Sequence, residues 1–492
     1  MITWDAAGSV AATVVRRHTR LGGLVVAALA VGLAVAAPAE PGRAASLDEA
    51  LVQTYNHNPT LRAARARLRG VNERVPQERA NWRPDVSVSG SAGRQRLREE
   101  QPGFGGGTTT TTDYTNPITA QARIRQPLYR GGRTIAGVDR AENEVRAQRA
   151  ELTNTQQEVL LRAIEAYLNV WRDRRILGLA RDNVETLAEQ LEATRARLDQ
   201  GIVTRTDLAQ ARSRLSQARA RRETAQGELT ASEAAYREVI GSPPGDISYP
   251  GAPDAVPASE AAAVERATRD NPRVVAAEFR RAAADRRVRQ TEGELLPTAF
   301  LEGSLSHQEN QSGPDREVQR AQITLNLQIP LYQSGAVTSR VREAKQQASE
   351  RRIQIAEARK RARQQAASAW ARLQAARAER REIEQQVEAA EDALTGVQEE
   401  LRVGARSVLD VLDAEQELFN ARVEQVRARR DVAVAAYRVY SATGQLTARG
   451  LGLPTPYYDP QKAYDEVSET WWQLSAPESE PQSDSGIAPT AD

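Results

Sequence analysis

The residues whose types and spacing could do chemistry lie in two short stretches. Val403 to Ala414 reads V-G-A-R-S-V-L-D-V-L-D-A and carries Arg406, Asp410 and Asp413, while Gly201 to Leu208 reads G-I-V-T-R-T-D-L and carries Asp207. The chemistry open to them is electrostatic. Carboxylates can cap a helix, pair with a guanidinium, or attract cations when several are confined together. Covalent and metal chemistry lacks material: there is no cysteine, and the three histidines stand apart at positions 18, 57 and 307. That excludes disulfides, thiolate metal sites, cysteine nucleophiles and a lipid carried on cysteine, and it leaves nothing to build a histidine metal cluster or a serine–histidine triad. The expectation is no catalytic residue, no cofactor and no metal.

Both stretches share one plan. A glycine that breaks a helix is followed by Thr204 or Ser407, with an aspartate three residues later, which is the spacing of a capping box. Gly201 and Gly404 are 203 positions apart, as are Asp207 and Asp410, so the chain is a duplication. Capping accounts for Asp207 and Asp410. It does not account for Asp413, whose counterpart is Gln210, or for Arg406, whose counterpart is Val203. Charge that departs from the repeat is the more informative kind.

The elements that must hold these turns repeat as well. Ser46 to Val75 reads as helix with an interruption at Asn58-Pro59, and Asn271-Pro272 repeats it. Period-two alternation places strands at about 85–100 and 115–127, separated by a Gly/Thr-rich loop over Pro102 to Thr112, and again at about 298–307 and 317–330. The last is the clearest, with Ile323, Leu325, Leu327 and Ile329 alternating with Thr324, Asn326 and Gln328. Apolar-out, polar-in alternation over about ten residues is the pattern of an outer-membrane barrel strand. Helices follow at about 133–200 and 204–240, and at about 336–402 and 407–442, entered through Pro127-Leu128-Tyr129 and Pro330-Leu331-Tyr332. Val138, Val145, Leu152 and Val159 keep a seven-residue seam, as do Leu177, Val184, Leu191 and Leu198, which predicts coiled-coil packing. A short helix and a return helix placed end to end match one long helix of about 100 Å, enough to make a wall of uniform height.

Composition agrees. Aromatics are 4% of 492 residues, and a formal charge of +2 conceals many interleaved charges, so basic runs such as Arg427–Arg430 read as solvated helix faces and nucleic acid is not expected as a partner. Residues 1–45 read as a secretory signal peptide, with Arg16, Arg17 and Arg20 before an apolar run from Leu21 to Ala37. Residues 448–492 are rich in Pro, Ser and acidic side chains and read as a largely disordered tail. Repeat boundaries fall at 46–245 and 246–447. Four strands cannot close a barrel, and open strand edges are not viable in lipid, so the chain must oligomerise.

The duplication, the paired strands, the P-L-Y-x-x-G entries and the R-S-V-L-D-V-L-D-A turn together resemble the TolC family of outer-membrane channel-tunnels over about Ser46 to Leu446. The resemblance implies a mainly α fold with a small β part: a long coiled-coil α-helical barrel continuous with a transmembrane β-barrel, completed by trimerisation with four strands per chain. It implies a passive duct spanning outer membrane and periplasm, leading with type I protein secretion and with multidrug efflux as the alternative. The implied partners are two further copies, outer-membrane lipid, a periplasmic adaptor and an inner-membrane transporter, either ABC-type or proton-driven. It also implies a pore constriction at Asp410 and Asp413, a gate lock between Asp207 and Arg406, and adaptor contacts at Gly201, Ile202, Gly404 and Ala405. Leu401 departs from the tyrosine of the best-known member. A periplasmic coiled-coil scaffold is the remote alternative, opposed by the strands.

Overall fold

A computed structural model describes residues 46–475, apart from 103, 252, 254, 255, 312–314 and 473. The expected signal peptide lies outside the described residues. The first repeat opens with three short helices, α1 (Leu47–His57), α2 (Pro59–Asn72) and α3 (Arg74–Arg79). Four strands follow: β1 (Asp85–Ala92), β2 (Gln95–Pro102), β3 (Thr108–Thr115) and β4 (Ile118–Arg130). Then come the long α4 (Arg133–Asp199) and the return helix α5 (Arg205–Ile240). The second repeat runs α6 (Glu260–Asp270), α7 (Pro272–Glu292), β5 (Thr298–Glu309), β6 (Glu317–Gln328), α8 (Ala336–Arg402) and α9 (Val408–Ala442). A last helix, α10 (Pro460–Ser468), closes the described chain.

The Asn-Pro steps work as joints. Asn58 starts α2 by accepting from Thr60 N, and its amide donates to Val239 O at the end of α5 at 2.9 Å. Asn271 starts α7 by accepting from Arg273 N and donates to Ala442 O at the end of α9 at 3.1 Å. The side chain satisfies orphan groups on two helix ends at once, fastening each short helix to its return helix. Thus α2 and α5 run alongside α4, while α7 and α9 bridge α4 and α8. The core follows the α4 seam, where Leu160, Ile164, Tyr167 and Leu168 are fully buried.

Strands β1, β4, β5 and β6 form one antiparallel sheet in that order. Register puts Val86, Ile124, Gly303 and Ile323 in one row, and Val88, Ala122, Leu305 and Ala321 in the next. The opposite face carries Ser87, Arg123, Ser304 and Gln322 in one row. Val88 is 80% and Ile323 78% exposed, so the apolar face is uncovered by this chain. Among the described residues, no helix is long and apolar enough to cross a membrane.

Two expectations need correction. The segment given as one strand over 85–100 is two, and the Thr run assigned to a loop forms β3, which pairs with β2 in a separate ribbon. Thr has high strand propensity on a two-sided solvated ribbon, where no apolar alternation marks the strand. The tail is also ordered as far as the description reaches. Leu453 is 2% exposed, Tyr458 N donates to Tyr55 Oη at 2.9 Å, and α10 lies against α2 and α3. Its few apolar side chains find a groove on the first repeat, which composition alone does not reveal.

Candidate pore constriction at the helix tips

Each long helix ends in the same way. Gly201 N donates to Leu198 O and Ile202 N to Arg197 O; Gly404 N donates to Leu401 O and Ala405 N to Glu400 O. This pair of bonds needs a left-handed residue, and the glycines supply φ of +75° and +79° with open space around them. The return helices start with matched capping boxes. Thr204 N donates to Asp207 Oδ2 at 2.8 Å, and Ser407 N donates to Asp410 Oδ2 at 2.8 Å. The Thr204 and Ser407 hydroxyls end on the same Oδ2 atoms, so Oδ1 of each aspartate stands outside the box. The cap and a second electrostatic role are therefore compatible in one carboxylate. The Ser407 backbone N–H, then its hydroxyl, and more weakly Arg406 hold the Asp410 carboxyl below the usual range.

The charges that depart from the repeat have partners of their own. Arg406 is exposed, and its Nε donates to Glu400 Oε2 at 2.8 Å. Within one chain it does not meet Asp207. Asp413 pairs with Arg214, which joins α9 to α5 across the two repeats. Arg214 has Glu417 as its counterpart, so this bridge has no copy elsewhere in the duplication. Beneath the charges, Leu187, Ala211, Leu215, Ala218, Val408 and Leu412 form a small core, with Val203 and Leu401 packed against it. Leu401 is a core contact at the tip. Ile202 is 67% exposed at the end of the structure.

Sequence reasoning missed Glu415. It is 5% exposed, accepts from Gln190 Nε2 at 3.3 Å through Oε1, and leaves Oε2 buried without a hydrogen-bond partner. Burial pushes its carboxyl up from 4.5 to about 7, opposed by the Gln190 hydrogen bond. A signal was available: Glu415 occupies the apolar stripe of Val408, Val411, Leu412 and Leu418, and its repeat counterpart is Arg212.

Uncovered apolar strand rows, continuous long helices and duplicated capped tips are what a membrane-embedded tube with a helical extension requires. The family model described as "Outer membrane efflux protein" matches residues 50–242 and 263–445, one block in each repeat. The chain belongs to the outer membrane efflux protein family. As an outer membrane efflux protein it is a TolC-type channel of the outer membrane with a periplasmic helical tunnel, and it is not an enzyme. It is similar to the outer membrane efflux protein BepC of Brucella suis, at 35% identity over 88% of this chain and 92% of that protein. It is 26% identical to TolC of Vibrio cholerae over 82% of this chain and 92% of that one. It is 23% identical to the alkaline protease secretion protein AprF of Pseudomonas aeruginosa, over 76% of this chain and 79% of AprF. The solved outer-membrane channel OprN superposes with a TM-score of 0.69 at 21% identity, covering 81% of this chain and 89% of OprN.

Proposed function

We propose that three copies form the exit duct of a tripartite export system, working with a periplasmic adaptor and an inner-membrane transporter, and that its cargo is protein of the type I kind. The observation carrying the duct is the four-stranded sheet, which leaves β1 and β6 unpaired at its edges while the middle rows of one face, from Val86, Ile124, Gly303 and Ile323 to Val88, Ala122, Leu305 and Ala321, are apolar and uncovered. Edges of this kind are stable in lipid only when closed, and joining β6 of one copy to β1 of the next gives a twelve-stranded barrel. At the far end, the exposed Arg406 and the Oδ1 of Asp207 are offered to neighbouring copies as the lock. Asp410 and the Asp413–Arg214 pair line the constriction. The protruding turns at Gly201, Ile202, Gly404 and Ala405 are the adaptor contact.

Secretion is supported by the likeness to AprF, and efflux is a second reading supported by the higher identity to BepC. Light scattering in mild detergent and single-channel conductance test the duct: a conducting monomer would refute it. Deleting the protein from its cell separates the cargoes. Loss of a secreted polypeptide from the medium supports secretion, and raised drug susceptibility with an unchanged secretome supports efflux.

A further inference from the structure

The described tail runs along the first repeat to the end of the sheet where β1 begins. It is fastened at intervals. Arg149 donates to Gln461 Oε1 at 2.8 Å, Val467 is buried, Arg79 donates to Ser468 O at 2.9 Å, and Arg83 donates to Thr470 O at 2.7 Å. The Arg83 guanidinium also lies over the Trp471 ring, 4.5 Å from its centre. Arg83 stands two residues, about 7 Å of extended chain, before the start of β1, so its guanidinium holds Trp471 near the end of the sheet where β1 begins. Beyond Thr470 come three exposed apolar side chains. Trp471 is 70%, Trp472 93% and Leu474 102% exposed.

The side of the sheet is fixed by Gln126. It shares a row with Leu301 and Leu325 on the apolar face, and it donates to Trp82 O at 2.8 Å. The chain entering β1 at Trp82 and Arg83 therefore lies on the face that meets lipid. Trp82, Tyr129 and Tyr332 are exposed at the same end of the strands. Two tryptophans and a leucine held in water at this level would expose indole surface for no gain. At the boundary between headgroups and hydrocarbon, an indole buries its ring and keeps its N–H solvated, and neighbouring arginines face lipid phosphates.

We infer that Trp471, Trp472 and Leu474 form a membrane-interface anchor, by which the tail grips the phospholipid leaflet on the periplasmic side of the outer membrane beside the barrel. The partner is a lipid surface, continuous with the one the strand rows already face. The inference goes beyond the duct and rests on its outer-membrane setting. It gives the tail a task separate from transport: fixing the height and tilt of the helical tunnel beneath the bilayer.

The absence of cysteine allows single nitroxide labels to be placed in the full chain. Leu474→Cys is labelled in nanodiscs of phosphatidylethanolamine and phosphatidylglycerol, with Val88→Cys as the lipid control and the exposed Lys462→Cys as the aqueous control. The expected result is an oxygen-to-nickel-chelate accessibility ratio at 474 several-fold above that at 462 and near that at 88. Adding Trp471→Ser and Trp472→Ser should return the ratio at 474 to the aqueous value without altering the helical circular dichroism. A ratio at 474 equal to that at 462, with 88 reading lipid, overturns the anchor and leaves the channel standing. A lipid-like ratio that survives loss of both tryptophans overturns their role. An aqueous reading at 88 overturns the membrane setting and the anchor together.

Discussion

Replacing Glu415 with Gln tests the buried carboxyl at the tip most directly. In the unfolded chain this acid titrates near 4.5, and in the fold burial raises it to about 7. As pH rises through 4.5 the unfolded chain gives up its proton while the folded chain keeps it, so stability falls until the folded acid also ionises near 7. The contribution of the neutral acid is fully present below pH 4.5 and gone above about 7. At 1.36 kcal/mol per pH unit the change amounts to about 3 kcal/mol per chain. Glu415→Gln keeps the volume and the contact with Gln190 but cannot ionise. It should match the parent near pH 4.5 and exceed it at pH 8 by up to that amount. The assay is amide hydrogen exchange on α4 near Gln190 and α9 near Glu415, corrected for intrinsic rates. The variant's protection over the parent should grow about a hundredfold between pH 4.5 and 8. If the two proteins keep a constant ratio across that range, Glu415 does not titrate there and the reasoning fails.

Other substitutions probe the remaining features. Asp413→Gln should lower the cation preference of the reconstituted channel, whereas Arg214→Gln should raise it by freeing the carboxylate; reversal potentials in a salt gradient measure both, and two null results would remove the pair from the pore. Arg406→Ser should enlarge conductance while leaving the melting temperature unchanged, and an unaltered conductance places the lock at other residues. Gly241→Ala and Gly444→Ala occupy one repeat position with φ of +92° and +81°, but a Cβ meets open space at the first and Asp270 O at 2.5 Å at the second. Chemical denaturation should show a cost of about 1–2 kcal/mol at 241 from the left-handed backbone alone, and a distinctly larger cost at 444.

What could be read before folding was whatever local spacing encodes. The capping boxes at Thr204 and Ser407, the Asn-Pro joints and the alternation from Leu301 to Leu327 are each set within a few residues, so the chain displays them openly. The Thr108–Thr115 strand was hidden because neither of its faces is apolar. The tail was hidden because its order depends on distant partners, such as Tyr55 for Tyr458, 403 positions away. The site divides in the same manner. Asp207 and Asp410 follow from spacing, and Arg406 and Asp413 stand out against the repeat, but the Arg214–Asp413 bridge joins residues 199 apart that only packing of α5 against α9 brings together. Glu415 was legible in principle as a charge on an apolar seam.

The matched helix lengths make the tunnel a ruler. Both α4 and α8 have 67 residues, and α5 and α9 have 36 and 35. The seam repeats every seven residues, a step of about 10 Å. Shortening α4 and α5 alone by such a step would draw their turn away from the turn of α8 and α9, part Arg214 from Asp413 and draw Val408 and Leu412 out of the tip core. Reach can therefore change only when α4, α5, α8 and α9 change together. A cell with a thinner periplasm must adjust this protein in whole heptads, twice over, which makes its length a quantised trait.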